Sequence, residues 1–129
     1  MLPRIALTIL QVSLGVVFFV FGIGKFQNDY WARTMASMDI FQRLPWSPAV
    51  SVIIAGIMEV ATGLALMVGF RRRLFAFMAA IQLLIILFLL SFQEIRDVGL
   101  FGSALFLACS KEPAFGFDYV WKRYESRKK

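Results

Sequence analysis

The chain has 129 residues, 60% of them hydrophobic, with fourteen Phe and a mean hydropathy of +0.73. That is well above the roughly half-apolar content of soluble domains, so a membrane protein is expected, and the length supports one domain. With no His and a single Cys, histidine-ligated haem, a disulfide pair, CxxC redox chemistry and a Cys/His zinc cage are excluded within the chain, and no metal site is expected. The net charge of +6 does not point to nucleic acid, because the basic residues sit beside hydrophobic segments, where they set topology and meet anionic lipid.

Four apolar stretches run through the sequence, at about 5–24, 49–70, 74–92 and 96–110. The first three approach the ~20 residues that cross ~30 Å of hydrocarbon, and the fourth is short. The first has one basic residue before it, Arg4, and no small-x-small cleavage site, so it reads as a retained helix. No alternating strand pattern is present, and helices are the spanning elements that satisfy their own backbone in lipid. The expected fold is therefore all-α, a polytopic four-transmembrane-helix bundle over residues 1–110, followed by a basic aromatic tail at 111–129.

Along the first stretch Gln11, Gly15, Phe18, Gly22 and Lys25 share one stripe. The segment after it, "FQNDYWARTMASMDIFQRLPWS", sets Trp31, Met35, Met38 and Phe41 at helical spacing, with Asn28 or Asp29 to cap and Pro45 to end the pattern. An amphipathic interfacial helix over about 28–44 is expected. It reads first as an anchor, since aromatics belong at the interface, and second as a lid over an opening between helices. In the second stretch Val52, Gly56, Glu59 and Gly63 align, in the third Ala79, Gln82, Ile86 and Gln93, and in the fourth Arg96, Gly99, Ser103 and Ser110. Small residues at such spacing let helices approach closely, and Gly15, Gly22, Gly56 and Gly63 are read as packing positions.

Glu59 is different, because a charge at mid-membrane costs at least ~2.5–3.5 kcal/mol unless it is paired or protonated. The helical rise sets Glu59 at ~17 Å and Gln82 at ~14 Å above one boundary, which makes them expected hydrogen-bonding neighbours. Arg96, at ~22 Å, falls ~8 Å short of the far boundary and is placed to pair bidentately with Glu59. Lys25, at ~30 Å, sits at the interface and reaches Glu59 less easily. The expected cluster is Glu59, Gln82 and Arg96, with Asp97 and Lys25 beside it. It is either a latch that fixes helix register or a site for a polar headgroup, a quinone carbonyl or a proton.

With all four stretches crossing, ten Lys and Arg fall on the side of the termini and four on the other. The bias predicts a multi-pass protein of the cell's inner (plasma) membrane with both termini cytoplasmic. In the tail, Trp121, Lys122 and Arg123 are candidate contacts to anionic lipid or to a protein partner, and Trp31 is a second aromatic contact on the other side.

The runs "RIALTILQVSLGVVFFVFGIGKF" and "LPWSPAVSVIIAGIMEVATGLALMVGFRRRLFAFMAAIQLL" resemble the DoxX family of small four-helix membrane proteins. The likeness covers most of the chain to about residue 107. It rests on Arg4, on Gly22 and Lys25 closing the first helix, on Glu59, Gly63 and Gly69, and on the basic turn that follows. The resemblance implies four helices, cytoplasmic termini, and association with membrane oxidoreductase systems, since the family includes a subunit linked to thiosulfate and quinone chemistry; its Lys and Glu positions map onto Lys25 and Glu59. The leading expectation is a non-catalytic membrane subunit or accessory factor of a larger, redox- or quinone-linked complex, with no covalent cofactor and with lipids and other membrane subunits as partners. The alternative is a quinone- or lipid-binding protein in which Lys25, Glu59 and Arg96 orient a polar head and Phe18, Phe21 and Trp31 contact the apolar tail. A small transporter or proton conductor using Glu59 is a third reading.

Overall fold

The computed structural model of the chain describes residues 2–27, 29–89, 95–111 and 114–128, the side chains of Leu2, Ile95 and Arg96 excepted. The described residues fold into seven helices, α1 Leu2–Gln27, α2 Tyr30–Ala36, α3 Asp39–Gln42, α4 Pro48–Val68, α5 Arg72–Leu89, α6 Ile95–Cys109 and α7 Phe117–Lys128. Three of them, α1, α4 and α5, are long and apolar enough to cross a membrane. α6, with 15 residues, rises only about 22 Å and is shorter than a full hydrocarbon crossing.

The long helices form two tight pairs. α1 lies along α4 and α5 along α6, while α4 and α5 touch each other far less. The α1–α4 pair is close because both stripes read from the sequence face each other: Gln11, Gly15, Phe18, Gly22 and Lys25 are all buried, as are Val52, Gly56, Glu59 and Gly63. The Gln11 side chain donates to the Leu66 carbonyl at 2.8 Å, one of the interhelical bonds that tie the pair. In α5 the buried face is Arg72, Ala76, Ala79, Ala80, Leu83 and Leu87, whose three alanines leave room for Ala104 and Leu107 of α6, both without solvent exposure.

The expected fourth stripe is corrected here. Gly99 is exposed, and a methyl group added there would meet nothing within 4 Å. Ser103 donates to the Gly99 carbonyl of its own helix at 2.9 Å, so its hydroxyl needs no neighbouring helix. The side of α6 that packs is the apolar one. Outward-facing Ile, Val, Leu and Phe cover the remaining surface of the bundle, with Phe88 68% exposed and Ile9 and Val20 both 62% exposed, as expected where the surrounding solvent is lipid.

α4 starts with Pro48 at its first position, where the missing N–H is no loss. It ends at Gly69, whose φ of 76° belongs to the left-handed region. The Gly69 N–H bonds to Leu66 O and the Phe70 N–H to Ala65 O, at 3.1 and 2.9 Å, a Schellman closure. At the same end Arg72 Nη2 and Arg73 Nε donate to the carbonyls of Ser110 and Ala108, both at 3.1 Å, capping the negative terminus of α6. The tail is not a loose segment: α7 has no buried residue, but its start is pinned where Asp118 N–H reaches Gly69 O at 3.3 Å and Phe115 N–H reaches Thr8 Oγ1 at 3.0 Å.

A Cβ at position 69 would lie 2.8 Å from the Gly116 Cα and 2.9 Å from Gln11 Nε2. Gly69→Ala is thus expected to cost about 1–2 kcal/mol from the backbone alone and to detach the start of α7. Thermal unfolding in detergent and protease sensitivity of the tail measure the two effects.

The single interfacial helix expected over 28–44 is two short ones. Met38 is extended, with φ −98° and ψ 124°. Local polar side chains drive the break: Ser37 Oγ donates to Thr34 O at 2.7 Å and Gln42 Nε2 to Ala36 O at 3.0 Å, closing α2 before it can continue. Asp29 precedes α2 and makes no side-chain cap bond; Asn28, the other expected cap, lies outside the described residues.

Candidate functional site

α2 and α3 lean mainly against α4. A cleft of about 460 Å³ lies between α2–α3, the first half of α4 and the second half of α5. Its walls are apolar and adaptable, with Met35 and Met38 from the α2–α3 segment, Met58 from α4, Met78 from α5, and Trp31 and Trp46 among the aromatics. Unbranched thioether side chains repack around guests of different shape. Trp31, Met35, Met38 and Phe41, the row seen at helical spacing, all line this cleft.

Two charges line it as well, and they pair with each other. Lys25 Nζ donates to both Glu59 oxygens, at 2.7 and 2.6 Å, with the two side chains 4% and 5% exposed. The ammonium also lies 4.6 Å from the centroid of the Trp31 ring, within cation–π range. A buried ion in hydrocarbon is tolerable only when paired and hydrogen-bonded, and this one is. Asp97, 8% exposed at the start of α6, is near enough for its charge to be felt at Glu59.

The partner of Glu59 is therefore Lys25, which the depth count had placed out of easy reach. Side chains on a helix lean toward its N-terminus. Since α1 and α4 run in opposite directions, Lys25 leans inward and Glu59 leans toward Lys25, so the two meet between their backbone heights. The Arg96 side chain and residues 90–94, on which the expected Arg96–Glu59 pair and part of the third stripe rest, lie outside the described residues. Gln82 lines the cleft with Glu59, but its amide donates to Thr62 Oγ1 at 2.9 Å. The expected Gln82–Glu59 bond is replaced by a link between α4 and α5 in the next helical turn.

Of the aromatics expected around an apolar tail, Trp31 lines the cleft while Phe18 is part of the hydrophobic core and Phe21 points outward. Sequence reasoning missed Trp46, Met58 and Met78; nothing in their spacing marks them, because the cleft is formed between separate elements. Trp121, Lys122 and Arg123 lie on exposed α7, with the Trp121 ring stacked on Phe117 at 6.1 Å. The lone thiol, Cys109, is exposed at the opposite end of the bundle from the ion pair, and among the described residues no three Cys, Asp or Glu side chains converge as a metal site.

Helices of this length and apolarity, packed through small residues around a buried ion pair, define a multi-pass all-helical membrane protein. The family model described as DoxX matches residues 6–91, which takes in both Lys25 and Glu59. The chain belongs to the DoxX family. No curated protein and no solved structure matches it.

Proposed function

We propose that the protein is a non-catalytic membrane subunit that holds a quinone or a lipid in the cleft between α2–α3, α4 and α5, in the service of a larger redox-linked membrane complex. The observation that carries this reading is the cleft: about 460 Å³ of almost wholly apolar lining with a charged pair set into it. Small-molecule sites have this size and this composition, an apolar wall with a few fixed polar groups. A pure register latch needs no such space beside it. The excess of Lys and Arg on the side of the termini favours cytoplasmic termini in an inner membrane. The cleft then belongs to the outer leaflet, where a lipophilic ligand enters sideways.

Ala55→Trp fills the cleft from the α4 wall. Purified in mild detergent and analysed by native mass spectrometry, the natural protein is expected to carry a quinone or lipid mass and to co-purify with stoichiometric subunits. The variant is expected to keep its helical circular dichroism and lose the ligand. Ligand retained in full by Ala55→Trp would remove the cleft as the site.

A further inference from the structure

We propose that the ligand's head is a neutral hydrogen-bond acceptor, a carbonyl, ether or hydroxyl oxygen, and that it reaches Lys25 by displacing the Trp31 ring, so that α2 gates the site. This rests on the ligand-binding reading above and deepens it.

The argument begins with what Lys25 has left to give. An ammonium has three N–H donors. Two directions are taken by the Glu59 oxygens, at 2.7 and 2.6 Å, and a third region is covered by the Trp31 ring, 4.6 Å from Nζ to its centroid. An incoming head must displace one of them. Displacing Glu59 would leave a carboxylate buried without its cation, in the surroundings where that is most costly. Displacing Trp31 gives up a cation–π contact, weaker than a charge-assisted hydrogen bond. The ring is carried by α2, a seven-residue helix with no buried residue. An indole moved outward is at home in the interface, where its N–H meets water and its rings meet lipid.

Charge then selects the head. Glu59 already neutralises Lys25. A carboxylate or phosphate entering beside Lys25 would crowd against the Glu59 carboxylate in a medium that screens poorly. A neutral oxygen accepts the third proton and adds no charge. Quinones and neutral lipids share such a head; fatty acids and anionic phospholipids do not.

The test measures equilibrium binding of three radiolabelled probes, decylubiquinone, mono-oleoylglycerol and oleate, to the full chain in detergent. The natural protein is expected to bind at least one neutral probe about ten-fold or more tighter than oleate, and the stronger of the two neutral probes identifies the source as quinone or lipid. Trp31→Ala, on the exposed segment, is expected to bind that neutral probe several-fold more tightly because nothing has to be displaced. Glu59→Gln, where it folds, is expected to reverse the order in favour of oleate, its Lys25 charge now lacking an anion. Tighter binding of oleate by the natural protein would overturn the neutral-head assignment, and weaker neutral binding by Trp31→Ala would show the ring to be part of the seat and overturn the gate. Failure of all three probes on both the natural protein and Trp31→Ala would instead remove the ligand-binding reading itself.

Discussion

Replacing Glu59 by leucine is expected to destabilise the protein by about 3–5 kcal/mol, the usual cost of stranding one member of a buried ion pair. Lys25 is 6% exposed, and its bonds to Glu59 supply both of its hydrogen-bond acceptors. Without them the ammonium must either lose its proton or drag its stem out to the interface, abandoning the α1–α4 packing around it. The double variant Lys25→Met/Glu59→Leu removes both charges and fills similar volume, so it is expected to recover most of the loss. Unfolding in detergent of the two single variants and the double variant forms a cycle whose coupling energy measures the pair. A double variant that is stable but no longer binds ligand would separate the two jobs of the pair, since packing tolerates an apolar substitute and headgroup recognition does not. A coupling near zero would mean that the pair is solvated in the folded protein.

The second large effect is expected at Gly63. A Cβ there would lie 2.6 Å from the Phe19 N and 2.7 Å from the Gly15 O, both backbone atoms of α1. Nothing at that crossing can swing aside, so even Gly63→Ala must push the helices apart, at about 1–3 kcal/mol for overpacking. Gly63→Leu is expected to abolish the pairing. Gly15 and Gly22 also face backbone, at 2.8 and 2.8–2.9 Å, whereas Gly56 faces mainly the tip of the Phe26 ring at 2.8 Å, which can rotate away. The expected order of damage for alanine is thus Gly63, then Gly15 and Gly22, then Gly56. Gly102, with open space where a Cβ would go, should gain about 0.5–1 kcal/mol as alanine from the entropy that glycine loses in a helix. Thermal unfolding of the series checks the order, and equal effects at Gly63 and Gly102 would contradict the close crossing.

The α1 and α4 faces were legible from sequence because polar and small residues recur every three or four positions in an otherwise apolar run, and few arrangements in lipid explain that. The row Trp31, Met35, Met38 and Phe41 was legible as one face, but its break was not. Met38 is extended because Ser37 and Gln42 turn their side chains onto nearby carbonyls, a choice that spacing does not encode. Depth counted along single helices put Lys25 out of easy reach of Glu59, with which it pairs. It measured backbone heights and left out the inward lean of two antiparallel side chains, one of them four methylenes long. The cleft was out of reach for another reason: its walls come from α2–α3, α4 and α5 together, and a void has no residues of its own to be read.

The pairing of α1 with α4 also fixes an order of events during synthesis. Lys25 and Glu59 are 34 positions apart, so α1 enters the bilayer with its cation before its counter-ion has been made. Until α4 arrives, that ammonium is held at the headgroups by its flexible stem, and α1 cannot settle to its final depth. α5 and α6, neighbours in the chain, assemble as a hairpin with no such delay. A chain that stalls or terminates before Glu59 thus carries an unmatched charge at the membrane surface, by which an unfinished chain differs from a finished one.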